Sequence, residues 1–378
     1  MGVTAEALAD WTARLVRIPS VNPAQAGPRA GTPGEALIAA RVEEWFRAFG
    51  GETHVEARFP ERPMVCGIWR GTTDRWVALD VHVDTVGVET MLGDPFSGEI
   101  RDGRVWGRGA VDTKASLGVA LALLEDLHRR GVRPGPNVLV AATVDEEVGA
   151  QGAPQFRDWV RAQGLELDEL MVAEPTQCGP VHGHKGGVRV ELEVLGEPAH
   201  SSQPHLGRNA ITAGAALALA LHEEHQRLQA EPPATDLGSP TLTVTLVRGG
   251  VGTNVVPPSC TLVLDRRMVP GEDGLVVGAE IAALAGRACP LPVRARSVLH
   301  FPAYYQPTSG RWLGQLAESS GRAPSVVPYG TNAWAYGGLA GECVVLGPGS
   351  IDQAHGVEEW VAVAELERLS QIYAHWWR

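Results

Sequence analysis

Five short stretches of this 378-residue chain carry imidazoles and carboxylates where apolar runs end. The run Val77-Ala78-Leu79-Asp80-Val81 delivers His82-Val83-Asp84. Residues two apart on an extended segment face the same side, so Asp84 can accept a hydrogen bond from the second ring nitrogen of His82. That pairing is the usual way a metal-bound imidazole is oriented. A histidine on its own is more often a surface or core residue, but an H-x-D closing a buried strand favours a ligand. In Gly107-Arg108-Gly109-Ala110-Val111-Asp112-Thr113-Lys114 the glycines allow a sharp turn, and Asp112 lands just before a helix. There it could cap the helix or bridge two cations, and spacing alone leaves both open. The run 137–143 leads into Asp145-Glu146-Glu147. Three consecutive acids at the end of a buried strand repel one another unless cations or protons relieve them. Neighbours on an extended chain point apart, so one of Glu146 and Glu147 would ligate metal and the other would act as a base. Glu174, after Leu170-Met171-Val172-Ala173, and His355, in Gly347-Pro348-Gly349-Ser350-Ile351-Asp352-Gln353-Ala354-His355-Gly356, follow short apolar runs too. Two histidines and three carboxylates without a thiolate suit Zn²⁺, and also Co²⁺ or Mn²⁺.

The elements that must position these residues read as an α/β domain. Helices are expected over about 5–17, on the stripe Ile38, Val42, Trp45, Phe46 and Phe49, and over 115–129 and 357–373. Strands are expected over 64–69, 76–81 and 137–143, the second nearly continuous in apolar residues, as a strand buried on both faces would be. Such alternation predicts a mostly parallel, mixed sheet flanked by helices, with ligands beyond the carboxyl ends of its strands. Near His182 the texture changes. Strands over 188–195, 241–247 and 260–264 and helices over 209–226 and 275–288 suggest a smaller, open-faced α+β unit of ferredoxin-like type inserted into the larger domain. The expected boundaries are 1–182, 183–297 and 298–378.

Composition narrows the function classes. A formal charge of −12 argues against a nucleic-acid partner. The longest apolar stretch, 210–221, is short of the roughly 18 residues a membrane span needs. Five scattered cysteines (Cys66, Cys178, Cys260, Cys289, Cys343) without C-x-x-C spacing fit a reducing compartment, and no signal peptide is evident, so a cytoplasmic location is expected.

In order and wording these five motifs resemble the two-zinc metallopeptidase and deacylase family that includes acetylornithine deacetylase, succinyl-diaminopimelate desuccinylase, aminoacylase and carboxypeptidase G. The likeness spans essentially the whole chain. It implies that His82 and Glu174 hold one zinc, Glu147 and His355 the other, and that Asp112 bridges them. Glu146 would be the general base and Asp84 the partner of His82. The resemblance also makes Asp112–Thr113 a candidate cis peptide and the inserted unit a lid and dimerisation domain of a homodimer. His200, in Pro198-Ala199-His200-Ser201-Ser202, would stabilise the oxyanion in a partner subunit, while Asn254 and Arg267 would grip the substrate carboxylate. The chain departs from relatives at Thr331-Asn332, where Thr-Asp is common. The substrate implied is a small N-acylated amino acid, acetylornithine-like first. A desuccinylase or a carboxypeptidase-like dipeptidase is next, and a catalytically silent ligand-binding member stands outside the enzyme class.

Other motifs resolve blandly. His222-Glu223-Glu224-His225 lacks H-E-x-x-H spacing and reads as a solvated helix face; His182 and His184 read as structural. No G-x-S-x-G elbow is present, and the eleven tryptophans are too dispersed for a stacking platform.

Overall fold

The computed structural model describes residues 2–378, the side chains of 297 and 298 apart, as two compact units. The larger comprises Met1–His182, Gln306–Ser325 and Thr331–Arg378, of which Met1 is outside the described residues; the smaller comprises Gly183–Tyr305 and Val326–Gly330.

In the larger unit six strands lie side by side in the order Glu52–Phe59, Arg62–Trp69, Asn137–Thr143, Trp76–His82, Leu167–Val172 and Ala340–Val345. The last four run parallel and the first two are antiparallel additions at one edge. Every residue of Asn137–Thr143 is buried, as a strand covered on both faces requires. On Trp76–His82, Val77, Leu79 and Val81 join the apolar core with the helices Ala5–Val16, Ala36–Ala48, Lys114–Arg129 and Val363–Trp376. The alternate residues Ala78, Asp80 and His82 therefore face the opposite side. Helix Lys114–Arg129 is buried nearly all round, with Leu117, Leu121 and Leu124 among its core residues, so its apolar composition follows from being packed on several sides.

The final helix starts at Val363, later than the expected 357, because Trp360–Ala362 first pairs with Arg104–Trp106. Strand Glu52–Phe59 and helix Gly152–Ala162 lay outside the sequence reading. The strand is an exposed edge with weak alternation, and the helix carries both Gly152 and Pro154.

In the smaller unit four antiparallel strands take the order Thr241–Gly249, Ser259–Met268, Gly186–Leu195 and Val293–Phe301. Helices Ala210–Ala230 and Gly274–Ala288 cover one face through a core that includes Val190, Leu192, Leu217, Leu262 and Ile281. This is the strand–helix–strand–strand–helix–strand pattern of a ferredoxin-like unit. Its fourth strand pairs with Gly187–Val194 as far as Phe301 and carries the unit past the expected edge at 297. Arg294 and Arg296 alternate with Val293 and Ala295, and the register shifts between Ser297 and Leu299 at the expected edge.

Asn332 is buried rather than facing a ligand surface, at 1% exposure. Its Nδ2 donates to Asp80 Oδ2 at 3.0 Å, and Asp80 also accepts from Thr143 Oγ1 at 2.6 Å and Tyr336 OH at 2.7 Å. Removing one partner of a buried polar group costs about 1–3 kcal/mol. Asn332→Ala should therefore lower unfolding free energy by about that amount in denaturant melts. Asn332→Asp should lower it further at pH 7, because it sets a second carboxylate against Asp80 in a buried site. An aspartate variant as stable as the parent would refute this account of the position.

Candidate metal centre

The parallel strands bring the site together at their carboxyl ends. His82 is the last residue of its strand, Glu174 lies two residues beyond Leu167–Val172 on the neighbouring strand, and Glu147 sits in the turn after Asn137–Thr143. Asp112 ends the glycine loop ahead of helix Lys114–Arg129, where Gly107 and Gly109 adopt φ of +134° and +83°. Thr113 Oγ1 donates to the carbonyl of His82 at 2.9 Å, fixing that loop to the strand end. The Asp112–Thr113 peptide is cis. His355 follows the turn Ile351–Gln353 in left-handed backbone, φ +60°.

Two ligand triads result, His82–Asp112–Glu174 and Asp112–Glu147–His355, each with its donor atoms within 4.8 Å of one another. His82 Nε2 lies 3.1 Å from Asp112 Oδ1, and His355 Nε2 lies 3.1 Å from Asp112 Oδ2 and 3.2 Å from Glu147 Oε2. Asp112 thus presents one oxygen to each imidazole, the geometry of a bridging carboxylate. Glu146 stands in the same cluster, and its carboxyl receives no hydrogen bond from the described residues; only its backbone N–H is engaged.

Asp84 meets His82 through its backbone carbonyl rather than through the carboxylate that the H-x-D spacing suggests. His82 Nδ1 is 3.1 Å from the Asp84 carbonyl and 3.6 Å from its Oδ1. The carboxylate accepts the backbone N–H groups of Glu146 at 3.1 Å and Glu147 at 3.2 Å, and Asn22 Nδ2 at 2.9 Å. One carboxylate therefore sets the turn that carries both glutamates. The acidic triplet is also divided. Asp145, in left-handed backbone at φ +62°, accepts from Arg62 Nη1 at 2.8 Å and Asn22 Nδ2 at 3.1 Å. Arg62 grips Glu35 through two further bonds, at 2.8 and 2.6 Å. Asp145 is paired with an arginine from outside the cluster, Glu147 lies against His355 within it, and the Glu146 carboxyl has neither partner among the described residues.

Without a cation this assembly has too many acids for its bases. Burial pushes Glu146 up to about 8, with repulsion from Glu147, Asp112 and Asp84 adding to it and His82 opposing. Burial and Asp112 also raise Glu147, and raise Glu174 well above the usual range. Hydrogen bonds to Asp112 and Glu147 push His355 up to about 10. Burial opposes charge on His82, yet Asp112 and Asp84 outweigh it and raise it too. Burial likewise favours protonated Asp112, but His355 and His82 hold it below the ordinary carboxylate range. Two imidazoles, three ligand carboxylates and a free glutamate, largely shielded from water, form a donor set that divalent cations would satisfy.

A pH dependence follows for metal-free protein. The raised groups bind more protons folded than unfolded between their ordinary values and their folded ones. Stability should therefore fall as pH rises from about 5 to 9. The depressed carboxyls Asp84 and Asp112 act only below about pH 4, outside that window, while buried Lys114, lowered to about 7, opposes the fall above that pH against the larger number of raised groups. Melting temperature measured from pH 6 to 9 with a chelator should decline, and added Zn²⁺ should remove most of the decline. A flat profile would contradict the charge imbalance.

The other three residues singled out from the sequence belong to the smaller unit. His200 is exposed; its Nδ1 lies 2.8 Å from Ser202 Oγ, and its backbone bridges to Val255. Asn254 is exposed and its carbonyl accepts the Ser201 N–H at 2.9 Å. Arg267 is half-buried on the sheet face away from the helices, with Nε donating to Asp265 Oδ1 at 2.7 Å. Asn22, Glu35, Arg62, Arg108 and Glu359 also serve the site, and no spacing in the sequence marks them.

Comparison with known proteins gives the family. Residues 78–378 match the peptidase family M20/M25/M40. An acetylornithine deacetylase of Myxococcus xanthus is 31% identical over 309 residues, covering 79% of this chain and 78% of that protein. A succinyl-diaminopimelate desuccinylase of Methylobacterium radiotolerans is 30% identical over 382 residues, covering 95% and 93%. Among solved structures, an M20 family metallo-carboxypeptidase from Sulfolobus solfataricus superimposes with a TM-score of 0.77 at 18% identity, covering 96% of this chain and 97% of that one. A dinuclear metal binding peptidase of the M20 family from Bacillus subtilis gives 0.67 at 16% identity, covering 98% and 96%. This chain belongs to the peptidase family M20/M25/M40 and is a metal-dependent hydrolase of amide bonds.

Proposed function

We infer that this hydrolase removes the acyl group from a small N-acylated amino acid, acetylornithine-like first, with two Zn²⁺ bound. The observation that carries this reading is the pair of ligand triads sharing Asp112, with Glu146 beside them receiving no hydrogen bond to its carboxyl among the described residues. His82 and Glu174 would hold one ion, Glu147 and His355 the other, with Asp112 common to both. When bound, such a pair supplies Lewis-acid polarisation and lowers the pKa of water from about 15.7 toward 7.

Glu146 takes the proton of the attacking water on its carboxylate and returns it to the leaving amine nitrogen. Asp84 orients His82 and holds the turn that aims Glu146. His200 is assigned as the oxyanion donor, reaching the site of a partner subunit. His200→Ala should lower kcat by about 10²–10³ with both ions retained; an unchanged kcat would remove it from that role. Arg267 would exchange Asp265 for the substrate carboxylate, which its planar fork matches in two hydrogen bonds; Asn254, in the loop leading into the opposite end of strand Ser259–Met268, is the second assigned contact.

A homodimer through the smaller unit is supported by its edge strand Thr241–Gly249 and by exposed Ile211, Leu219, Val247 and Val251. Light scattering at the mass of one 40.2 kDa chain would refute it. A cytoplasmic location is supported by five buried, unbridged cysteines. Among the described residues no helix is long and apolar enough to cross a membrane.

The second reading, a desuccinylase, is favoured by the Methylobacterium radiotolerans relative, which matches more of this chain. A panel of N-acetyl, N-succinyl and dipeptide substrates assayed with Zn²⁺ or Co²⁺ separates the two. The highest kcat/KM is expected on N-acetylated basic amino acids, and a preference for N-succinyl substrates would replace the first reading with the second.

A further inference from the structure

We propose that the buried ion pair Arg108–Glu359 is a positioning device for the Asp112–Glu147–His355 triad, and so sets the affinity of one of the two ions selectively. The proposal rests on the two-ion reading above.

Arg108 and Glu359 are each 1% exposed, and Arg108 Nη1 donates to Glu359 Oε2 at 2.6 Å. The other oxygen, Glu359 Oε1, accepts the backbone N–H groups of Val111 at 3.1 Å and Asp112 at 3.3 Å. Arg108 Nη2 in turn donates to the carbonyl of Gly356, the residue after His355, at 3.2 Å, and to the carbonyl of Gly87 at 3.2 Å. The backbone of Glu359 closes the arrangement by accepting the Gly107 N–H at 2.9 Å. A single ion pair thus holds the main chain of the Asp112 loop with one member and that of the His355 loop with the other.

The two triads do not depend on this pair equally. His82 is fixed by the Trp76–His82 strand, and Glu174 lies just beyond a strand paired on both sides. His355 lies outside any strand, and besides Arg108 the main chain beyond it is held by the Leu92 N–H on the Val357 carbonyl at 2.8 Å. Its side chain is half exposed and its backbone is left-handed. Beyond the turn that precedes it, the main chain at 356 is held by Arg108. Such buried charges are costly to desolvate, and a well-packed apolar pair often serves stability as well or better. Positioning ligand loops is what the ion pair adds. Loss of an outer support typically weakens metal binding by about 10–100-fold.

The test is calorimetric titration of Zn²⁺ into metal-free, full-length protein for the parent, Glu359→Gln, Arg108→Met and the double variant, with melting curves of the metal-free forms. The parent should take up two ions. Each variant should bind the first within about threefold of the parent and the second about 10–100-fold more weakly. A single substitution strands a buried charge and can unfold the chain, whereas the double variant removes both charges and should melt near the parent. Its second-ion loss should persist at that restored stability. Two unchanged affinities in the double variant would overturn the proposal. So would equal weakening of both ions in step with a lowered melting temperature, since that is the mark of a general structural role. A parent that binds fewer than two ions would overturn the two-ion reading, and this proposal with it.

Discussion

Glu146→Gln should bind both ions as tightly as the parent and lose at least about 10²–10⁴ in kcat, with KM little changed. The amide keeps the size of the side chain, and the Glu146 N–H to Asp84 is a backbone contact that the substitution leaves alone. What disappears is the ability to accept and return a proton. The assignment is sharpened by its neighbours. Asp145 is committed to Arg62 and Asn22, and Glu147 lies against His355, so neither can take over. Metal content by mass spectrometry and single-turnover kinetics on an N-acetylated amino acid would measure both halves. A kcat within tenfold of the parent would remove Glu146 as the base, and loss of an ion would make it a ligand instead.

His355→Ala has the second large effect. It removes one member of the triad that also holds Asp112 and Glu147, and leaves His82–Asp112–Glu174 intact. Dialysed protein should retain one ion per chain, and activity should fall by more than the about 10–100-fold that loss of an outer support brings. Because His355 is half exposed, its removal opens no core cavity, and the fold should survive. Two ions still bound after dialysis would move His355 out of the ligand set.

The candidate site was legible in the sequence where an imidazole or carboxylate closes a strand. His82, Glu146, Glu147 and Glu174 follow apolar runs whose burial and parallel pairing could be read from their composition, and the structure gathers them at adjacent strand ends. The supports were not legible, since they act over long separations. Arg108 meets Glu359 251 residues away and Asn22 meets Asp145 123 residues away, with no periodicity linking them. The acidic triplet shows the limit of local reasoning. Alternation proposes two jobs for Glu146 and Glu147, but only Arg62, from strand Arg62–Trp69, shows that Asp145 is engaged elsewhere. Asn332 is similar. Its identity departs from a common pattern, and its partner Asp80 lies 252 residues earlier.

The contact between Glu147 and His355 spans 208 residues, the smaller unit lying within that interval. A cation gripped by both would fasten the C-terminal stretch to the body as a removable staple. Because the ion binds the folded site and not the unfolded chain, it would stabilise that fastening by mass action, in proportion to its occupancy. Chelation would therefore loosen the carboxyl-terminal segment before the strands around His82, and resistance of that segment to proteases would report the filling of a single ion position.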